Sequence, residues 1–446
     1  MSSGSASGAS TVLRSIGKWS LAALVLNNII GSGVFALPGT IAARLGWWSL
    51  LALVLAALVA GAIMLSFAEV ASRFEEAGGP YLYAHTAFGR LVGLQMGWMA
   101  YFVRVLSAAV QVNLLTTYLA EFWVPASTTE GKAFVGALFL GVLCVINLRG
   151  VSGGTLVSNV FAVIKLLPLL LIGAGGLAWL ARGLAVPAVT PIVDTPGGWL
   201  TVLLLLMFSY GGFEASTFPL GEAKDPKRDM PFSLIVGLAA VVVVYLLVQV
   251  AVLVTLPDPG ASDRPLAEVA RVFLGGPGAV VMSLAALISV SGWGASAMVA
   301  VPRLTYAMAE RGDLPAVFRW VHPRWRTPWV SILTYAGLTY LLSLQGGLLS
   351  NISLSTVSRL LTYGLVCAAL MVFRRWDAAG SGRVSEPGFR APAGWLMAGV
   401  GLGASLLLVT RMTPREGVWM LVVVGVGLVH WALVRKPTST GRTGLG

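Results

Sequence analysis

Twelve apolar segments of membrane length run along this chain, and only short loops separate them. A helix of about 20 apolar residues is long enough to cross the hydrocarbon core of a bilayer. Of the 446 residues, 57% are hydrophobic and 11% are charged, and a soluble globule cannot bury so much apolar surface. The sequence therefore predicts an all-α polytopic membrane protein. Its predicted spans are 19–44, 47–71, 91–123, 133–149, 155–180, 198–221, 232–256, 279–308, 328–345, 353–373, 393–411 and 416–434.

The basic residues predict how the chain is oriented. An even number of spans places both termini on one side, and if that side is the cytoplasm, 20 of the 30 lysines and arginines lie in inner segments. Seven lie in outer loops or at outer span ends, and three lie deep within spans, when residues near an inner span end such as Arg303 are counted as inner. This is the bias of the positive-inside rule, so we expect a multi-pass protein of the cell membrane with both termini in the cytoplasm. The bias accounts for most of the net charge of +12, so no nucleic-acid partner is needed to explain it.

Short loops also predict a single membrane domain. No connection is long enough to hold a separate soluble unit. The predicted layout is a disordered cytoplasmic N-terminus at 1–16, a core at 17–375, a cytoplasmic loop at 376–392, helices 11 and 12 at 393–434, and a cytoplasmic tail at 435–446.

Glycines interrupt the first and sixth predicted spans. Residues 27–35 read NNIIGSGVF, and residues 208–214 read FSYGGFE. Backbone groups at membrane depth can leave a helix only where they line a protein cavity, and matched breaks in two halves of a chain indicate an inverted-repeat transporter with its site between the repeats. Glycines also allow close helix packing. For either stretch alone, close packing explains the glycines about as well as a binding site does. The matched placement, with Asn28, Ser32 and Glu214 beside the glycines, favours a binding site.

The two ends of a broken helix suit opposite charges. Free N–H groups at the start of a half-helix suit a carboxylate, and free carbonyls at the end of the other half suit an ammonium group. A small zwitterion carries both groups, so the breaks predict a zwitterionic ligand.

Four motifs in order resemble the amino acid-polyamine-organocation (APC) permeases. They read IIGSGVF at 29–35, EAGGPYLY at 76–83, NLRGV at 147–151, and GFE at 212–214 followed by EAKDPKRDMP at 222–231. The resemblance implies a LeuT-like fold of two inverted five-helix repeats, at about 17–181 and 196–375, with broken helices 1 and 6 and two extra C-terminal helices. It also implies secondary active transport by alternating access.

The same resemblance implies a binding site built largely from backbone. The substrate carboxylate would lie against Ser32, Gly33 and Val34. The remaining implied positions are the carbonyls of Ile29, Phe208, Ser209 and Gly211 for the ammonium group, and Val103, Arg104 and Ser107 at the level of the substrate side chain.

Lys165 lies near the middle of the fifth span. Ionisable groups at that depth are rare and commonly mark proton or ion pathways. In proton-coupled members of the resembled family, a lysine in this span takes the place of a sodium ion, which implies proton coupling through Lys165. The alternative is a permanently charged lysine that hydrogen-bonds the broken helix without titrating.

Two further charges and two aromatic rings complete the candidate site. Arg104 either binds an anionic substrate side chain or pairs with Glu214 or Glu121, and pairing is the commoner arrangement in membranes. Glu214 either senses protonation behind the break or holds its geometry. Phe208 and Phe213 lie beside the break, and Phe208 is the candidate gate.

Together these features predict a proton-coupled symporter of a neutral or hydrophobic amino acid, because the walls suggested by Val103, Phe208 and Phe213 are apolar. An amino acid or polyamine exchanger without proton coupling is one alternative, and a transport-dead membrane sensor or assembly subunit is another. No clustered catalytic groups suggest an enzyme, and no metal-ligand spacing is present. The expected partners are the amino acid and the lipid bilayer, with no cofactor and the proton gradient as energy source.

Overall fold

The computed structural model describes residues 17–74, 79–150, 155–192, 195–216, 225–310 and 312–434. The predicted disordered N-terminus at 1–16 and the predicted tail at 435–446 lie outside these residues.

Within the described residues the chain forms fifteen α-helices and no strand. They are α1 Lys18–Ile29, α2 Ser32–Ala36, α3 Pro38–Leu45, α4 Trp48–Ala71, α5 Gly79–Phe88, α6 Arg90–Leu119, α7 Thr129–Leu148, α8 Thr155–Ala181, α9 Pro196–Ser209, α10 Pro226–Thr255, α11 Pro265–Glu310, α12 Trp329–Gln345, α13 Leu348–Ala378, α14 Gly394–Val409 and α15 Pro414–Val434.

Eight helical segments in the described part of the chain are long and apolar enough to cross a membrane, and two shorter apolar helices accompany them. Their Leu, Val and Ala side chains form a continuous interior, while many other Leu and Val side chains remain exposed on the outer faces. An exposed apolar surface of this extent is what lipid would cover. The prediction of an all-α polytopic membrane protein is therefore confirmed.

Several boundaries differ from the predicted spans. The eighth predicted span, 279–308, is only the second part of α11, which begins at Pro265 and changes direction at Gly275, where φ is +69°. Helix α5 lies in a stretch predicted to be a loop. Hydropathy identifies apolar length, but it does not identify helical turns that continue beyond the apolar residues.

Both predicted interruptions are present. The first span divides into α1, α2 and α3, with Ile30 at the end of α1 and Gly31 in a non-helical conformation at φ −123° and ψ −140°. The sixth span ends as α9 at Ser209 and resumes as a short 3-10 turn at 213–216. Between them Gly212 has a φ of +106°, a conformation that glycine adopts at little cost.

Neighbouring helices surround the two breaks. Helix α10 packs against α8, α1 and α4, and α13 packs against α6, α4 and α9. The breaks are therefore enclosed by protein, as interrupted backbone at membrane depth requires.

Ion pairs join the helix ends in two separate clusters. In the first, Glu69 on α4 pairs with Arg374 on α13 at 2.5 Å, and Arg73 pairs with Asp377 at 2.6 Å. Asp377 lies beyond the predicted span 353–373, and the Arg73 guanidinium hydrogen-bonded to it holds the pKa of Asp377 below its ordinary value. We call these four residues the Glu69 cluster.

The second cluster lies at the far end of α6. Glu121 pairs with Arg264 at 2.8 Å and with Arg271 at 2.6 Å, and Arg271 also pairs with Glu268 at 3.2 Å. These ion pairs join the end of α6 to the start of α11. Glu121, one of the partners considered for Arg104, is therefore engaged elsewhere.

Candidate binding site at the helix breaks

Lys165 reaches from α8 to the first break. Its Nζ donates hydrogen bonds to the carbonyl oxygens of Asn27 at 2.7 Å and Ile30 at 2.6 Å. The side chain is 3% exposed. The last carbonyls of a helix lack intrahelical donors and carry the negative end of its dipole, so an ammonium group stabilises them.

Tyr245 on α10 joins the two breaks. Its hydroxyl lies 3.3 Å from the carbonyl oxygen of Ile29 and 2.9 Å from that of Ser209. One phenolic proton is shared between the ends of α1 and α9, and both carbonyls belong to the positions implied for the substrate ammonium group. Tyr245 was not predicted from the sequence, although a tyrosine in the middle of an apolar span was the available signal.

Helices α2 and α9 meet where Gly33 packs directly against Ser209. A β-carbon added to Gly33 would lie 2.8 Å from the Ser209 Cα, which is closer than real β-carbons approach. Beside this contact, Ser32 is 2% exposed, and its hydroxyl has no hydrogen-bond partner among the described residues. Val34, which follows Gly33 in α2, is buried as well.

Glu214 organises the second break. Its carboxylate accepts hydrogen bonds from the Gly212 backbone N–H at 2.9 Å and from the Tyr363 hydroxyl at 2.7 Å. Two guanidinium groups flank its other oxygen, Arg104 at 3.5 Å and Arg359 at 3.7 Å. Arg104 was considered either as a ligand of an anionic substrate side chain or as a partner of Glu214 or Glu121. In the structure it forms an ion pair with Glu214.

Arg359 on α13 extends across the same break. It lies over the Phe208 ring, with 5.5 Å between the guanidinium carbon and the ring centroid. Its nitrogens approach the Phe208 carbonyl oxygen at 3.5 Å and the Ser107 hydroxyl at 3.0 Å. This position of Arg359 beside Phe208 was not predicted from the sequence.

The apolar residues of the predicted site lie around this network. Phe213 packs edge-on against Phe67 at 5.2 Å and lies 5.1 Å from the Tyr363 ring, between ring centroids. Phe208 is 7% exposed and Val103 4% exposed. The candidate gate Phe208 is thus held inside the protein, with Arg359 on one face.

Most of the predicted site residues therefore converge on two adjoining breaks. Backbone packing brings Gly33 to Ser209, and Gly212 lies directly against the carbonyl oxygen of Asn28. Both hydrogen bonds that Lys165 donates go to the first break. In the described part of the chain no group of three or more His, Cys, Asp or Glu side chains is placed to hold a metal.

Two discontinuous helices that meet inside a polytopic helical protein are typical of membrane transporters. The family model of the amino acid permeases matches residues 16–432. The chain belongs to the amino acid permease family. The predicted resemblance to APC permeases is confirmed, and so is the prediction that the chain is a transporter rather than an enzyme.

Individual relatives differ in what they carry. The serine/threonine exchanger SteT of Bacillus subtilis is 27% identical over 72% of this chain and 74% of its own length. The methylthioribose transporter of the same species is 28% identical over 82% of both chains. The human large neutral amino acids transporter small subunit 2 is 26% identical over 83% of this chain and 72% of its own.

Proposed function

We propose that this protein is a secondary active transporter that carries a neutral or hydrophobic amino acid across the cell membrane by alternating access. It would have twelve spans, two inverted five-helix repeats and both termini in the cytoplasm. The observation that carries the proposal is the meeting of the two breaks, where Tyr245 lies within hydrogen-bond distance of Ile29 and Ser209. Family membership supports amino acid transport in general.

In this proposal the substrate lies along the contact between the breaks. Its carboxylate would face the backbone N–H groups of Ser32, Gly33 and Val34. The buried Ser32 hydroxyl, which no described residue engages, is available as a further donor. The ammonium group of the substrate would face the carbonyls of Ile29, Phe208, Ser209 and Gly211. The two charged ends of the zwitterion would then bind opposite helix ends.

The side chain of the substrate would be neutral or hydrophobic. Phe208 and Phe213 are apolar and lie at the second break, the buried Val103 precedes Arg104 on α6, and Ser107 supplies a hydroxyl. Arg104 and Arg359 outnumber Glu214 there, so a cationic side chain would meet net repulsion. The names of the relatives, which mention serine, threonine and large neutral amino acids, agree with this substrate class.

Proton coupling would run through Lys165. As an ammonium group it holds the carbonyls of Asn27 and Ile30, and loss of its proton would remove the charge that stabilises the end of α1. Proton release would therefore loosen α1 and link its position to the proton gradient. The alternative, an exchanger without proton coupling, is favoured by one relative's name, the serine/threonine exchanger.

A thermal-shift screen of the purified protein against amino acids and amines tests the proposal. A ligand that binds the folded state raises the unfolding temperature by mass action. We expect serine, threonine or a larger neutral amino acid to raise it, and polyamines to have no effect. If no amino acid shifts the wild type, the proposed function is wrong.

A matched pair of variants then tests the carboxylate site. Ser32→Leu places a branched side chain at the contact between α2 and α9 and should abolish the ligand-induced shift. Ser32→Ala removes only the hydroxyl and should weaken binding about tenfold, the loss of one hydrogen bond to a charged group. Equal binding by all three proteins would exclude this position from the site.

Proteoliposome uptake separates symport from exchange. A symporter accumulates substrate when only a pH gradient is imposed, whereas an exchanger needs substrate inside the vesicles. Uptake that depends on internal substrate and ignores the gradient would exclude proton coupling.

A further inference from the structure

Arg359 has no part in the substrate contacts proposed above, although it lies among them. Its side chain comes from α13 and is 4% exposed. A buried guanidinium is costly unless its donors are satisfied, yet its Nε makes no hydrogen bond within the described residues. Its environment therefore needs an explanation beyond pairing with Glu214, which lies 3.7 Å from that nitrogen.

The guanidinium occupies the end of α9. One terminal nitrogen lies 3.5 Å from the Phe208 carbonyl oxygen, and a β-carbon added to Gly211 would overlap the same nitrogen. Phe208 and Gly211 are two of the positions proposed for the substrate ammonium group. A protein cation thus lies where a substrate cation is expected.

The Phe208 carbonyl has no spare capacity. A carbonyl oxygen has two lone pairs, and this one receives the Gly211 backbone N–H at 3.1 Å in addition to Arg359. A third donor therefore needs one of the two to leave. The Gly211 N–H is fixed by the backbone turn, so the mobile donor is the arginine.

Glu214 offers Arg359 another position. The carboxylate oxygen nearest Arg359 is the one that also faces Arg104. A shift of less than 1 Å, roughly the difference between 3.7 Å and an ordinary charged hydrogen bond, would let the unsatisfied Nε donate to it. Leaving the Phe208 carbonyl would also weaken the contact between the guanidinium and the Phe208 ring.

We propose that Arg359 is an internal competitor of the substrate: its guanidinium holds the Phe208 carbonyl until the substrate's ammonium group displaces it towards Glu214. This inference rests on the proposed function and extends it by naming the residue that limits the affinity for the substrate. The apparent affinity is the intrinsic affinity multiplied by the fraction of protein in which the carbonyl is accessible, so a smaller fraction gives weaker binding. Displacement would also free Phe208 to move over the bound substrate.

The test compares Arg359→Gln with the wild type in binding L-serine and L-leucine, followed by tryptophan fluorescence and thermal shift. Removing the competitor should tighten binding about tenfold, the size expected when one charged hydrogen bond no longer has to be broken. A merely structural role predicts the opposite, because a disturbed site binds more weakly. Arg375→Gln is the matched control: it removes an exposed arginine from the same helix and should leave affinity unchanged.

Arg359→Lys provides a second variant in case the glutamine variant does not fold. Lysine keeps the charge but lacks the planar fork that spans the Phe208 carbonyl and the Ser107 hydroxyl, so it should tighten binding by a smaller factor. Unchanged or weaker binding in the folded variants overturns the inference alone. If neither the wild type nor the variants bind any amino acid, the proposed function fails as well.

Discussion

The two helix breaks are stabilised by opposite kinds of side chain. At the first break, Lys165 donates to the carbonyls that end α1. At the second, the Glu214 carboxylate accepts the Gly212 N–H just before the helical turn resumes. Tyr245 is shared, because it lies within hydrogen-bond distance of a carbonyl at each break.

This difference follows from the polarity of helix ends. A C-terminal end exposes carbonyls and attracts a cation, whereas an N-terminal end exposes N–H groups and attracts an anion. Apart from the shared Tyr245, the first break is held by one charged side chain, Lys165, whereas the second has a carboxylate with two arginines and a tyrosine. Charge at the first break can therefore change with a single proton, whereas the second break is held by several groups at once.

Glu214→Gln should have the largest effect, because it leaves the buried Arg359 and the partly buried Arg104 without the carboxylate between them. Breaking a buried ion pair from one side costs about 3–5 kcal/mol, so we expect a strongly lowered unfolding temperature and loss of uptake. The double variant Glu214→Gln with Arg104→Gln removes one positive charge as well and should recover part of the stability. A double variant no more stable than the single one would contradict the charge balance described here.

Lys165→Ala should be next in size and should act at the first break. Two buried carbonyls lose their donor, which costs about 3 kcal/mol in total. Proton-driven accumulation in proteoliposomes should disappear, while Lys132→Ala, at an exposed lysine of α7, should transport as the wild type does. If Lys165→Ala still accumulates substrate up a proton gradient, Lys165 is not the coupling residue.

Tyr245→Phe and Tyr363→Phe compare the two breaks through a single hydroxyl each. We expect each to cost about 1 kcal/mol. Tyr245→Phe should weaken substrate binding as well, because it loosens the junction of both breaks, whereas Tyr363→Phe should chiefly lower stability. Binding affinity and unfolding temperature, measured on the same preparations, separate the two effects, and identical profiles would argue against a shared role for Tyr245.

Lowering the pH should have the smallest effect on stability, and it should act at the Glu69 cluster, which lies away from both breaks. Arg73 lowers the pKa of Asp377, so its stabilisation is present above the ordinary carboxyl value of about 3.9 and is lost as the pH falls through the lower folded-state value. The contribution should be no more than about 1 kcal/mol. Between pH 6 and about pH 3, the unfolding temperature of the wild type should fall more steeply than that of Asp377→Asn. Parallel curves for the two proteins would rule out this contribution of Asp377.

The sequence predicted the architecture better than it predicted side-chain partners. Apolar length identified the membrane class, and the glycines located both breaks, because each of these signals is local. Hydrogen bonding of Lys165 to the broken helix was one of the alternatives that its position in the fifth span left open. Tyr245 and the position of Arg359 were missed, since helix rotation decides which way a side chain on an apolar span points, and a nearly uniform apolar span carries little information about rotation.

The close approach at Gly33 constrains how the protein can move. Because Gly33 has no side chain, Ser209 packs directly against the α2 backbone, and the two segments cannot slide past each other without a collision. We therefore expect α2 and α9 to travel together as one rigid pair, so that the changing distances during a transport cycle lie elsewhere, at α1 and at the turn after Gly212.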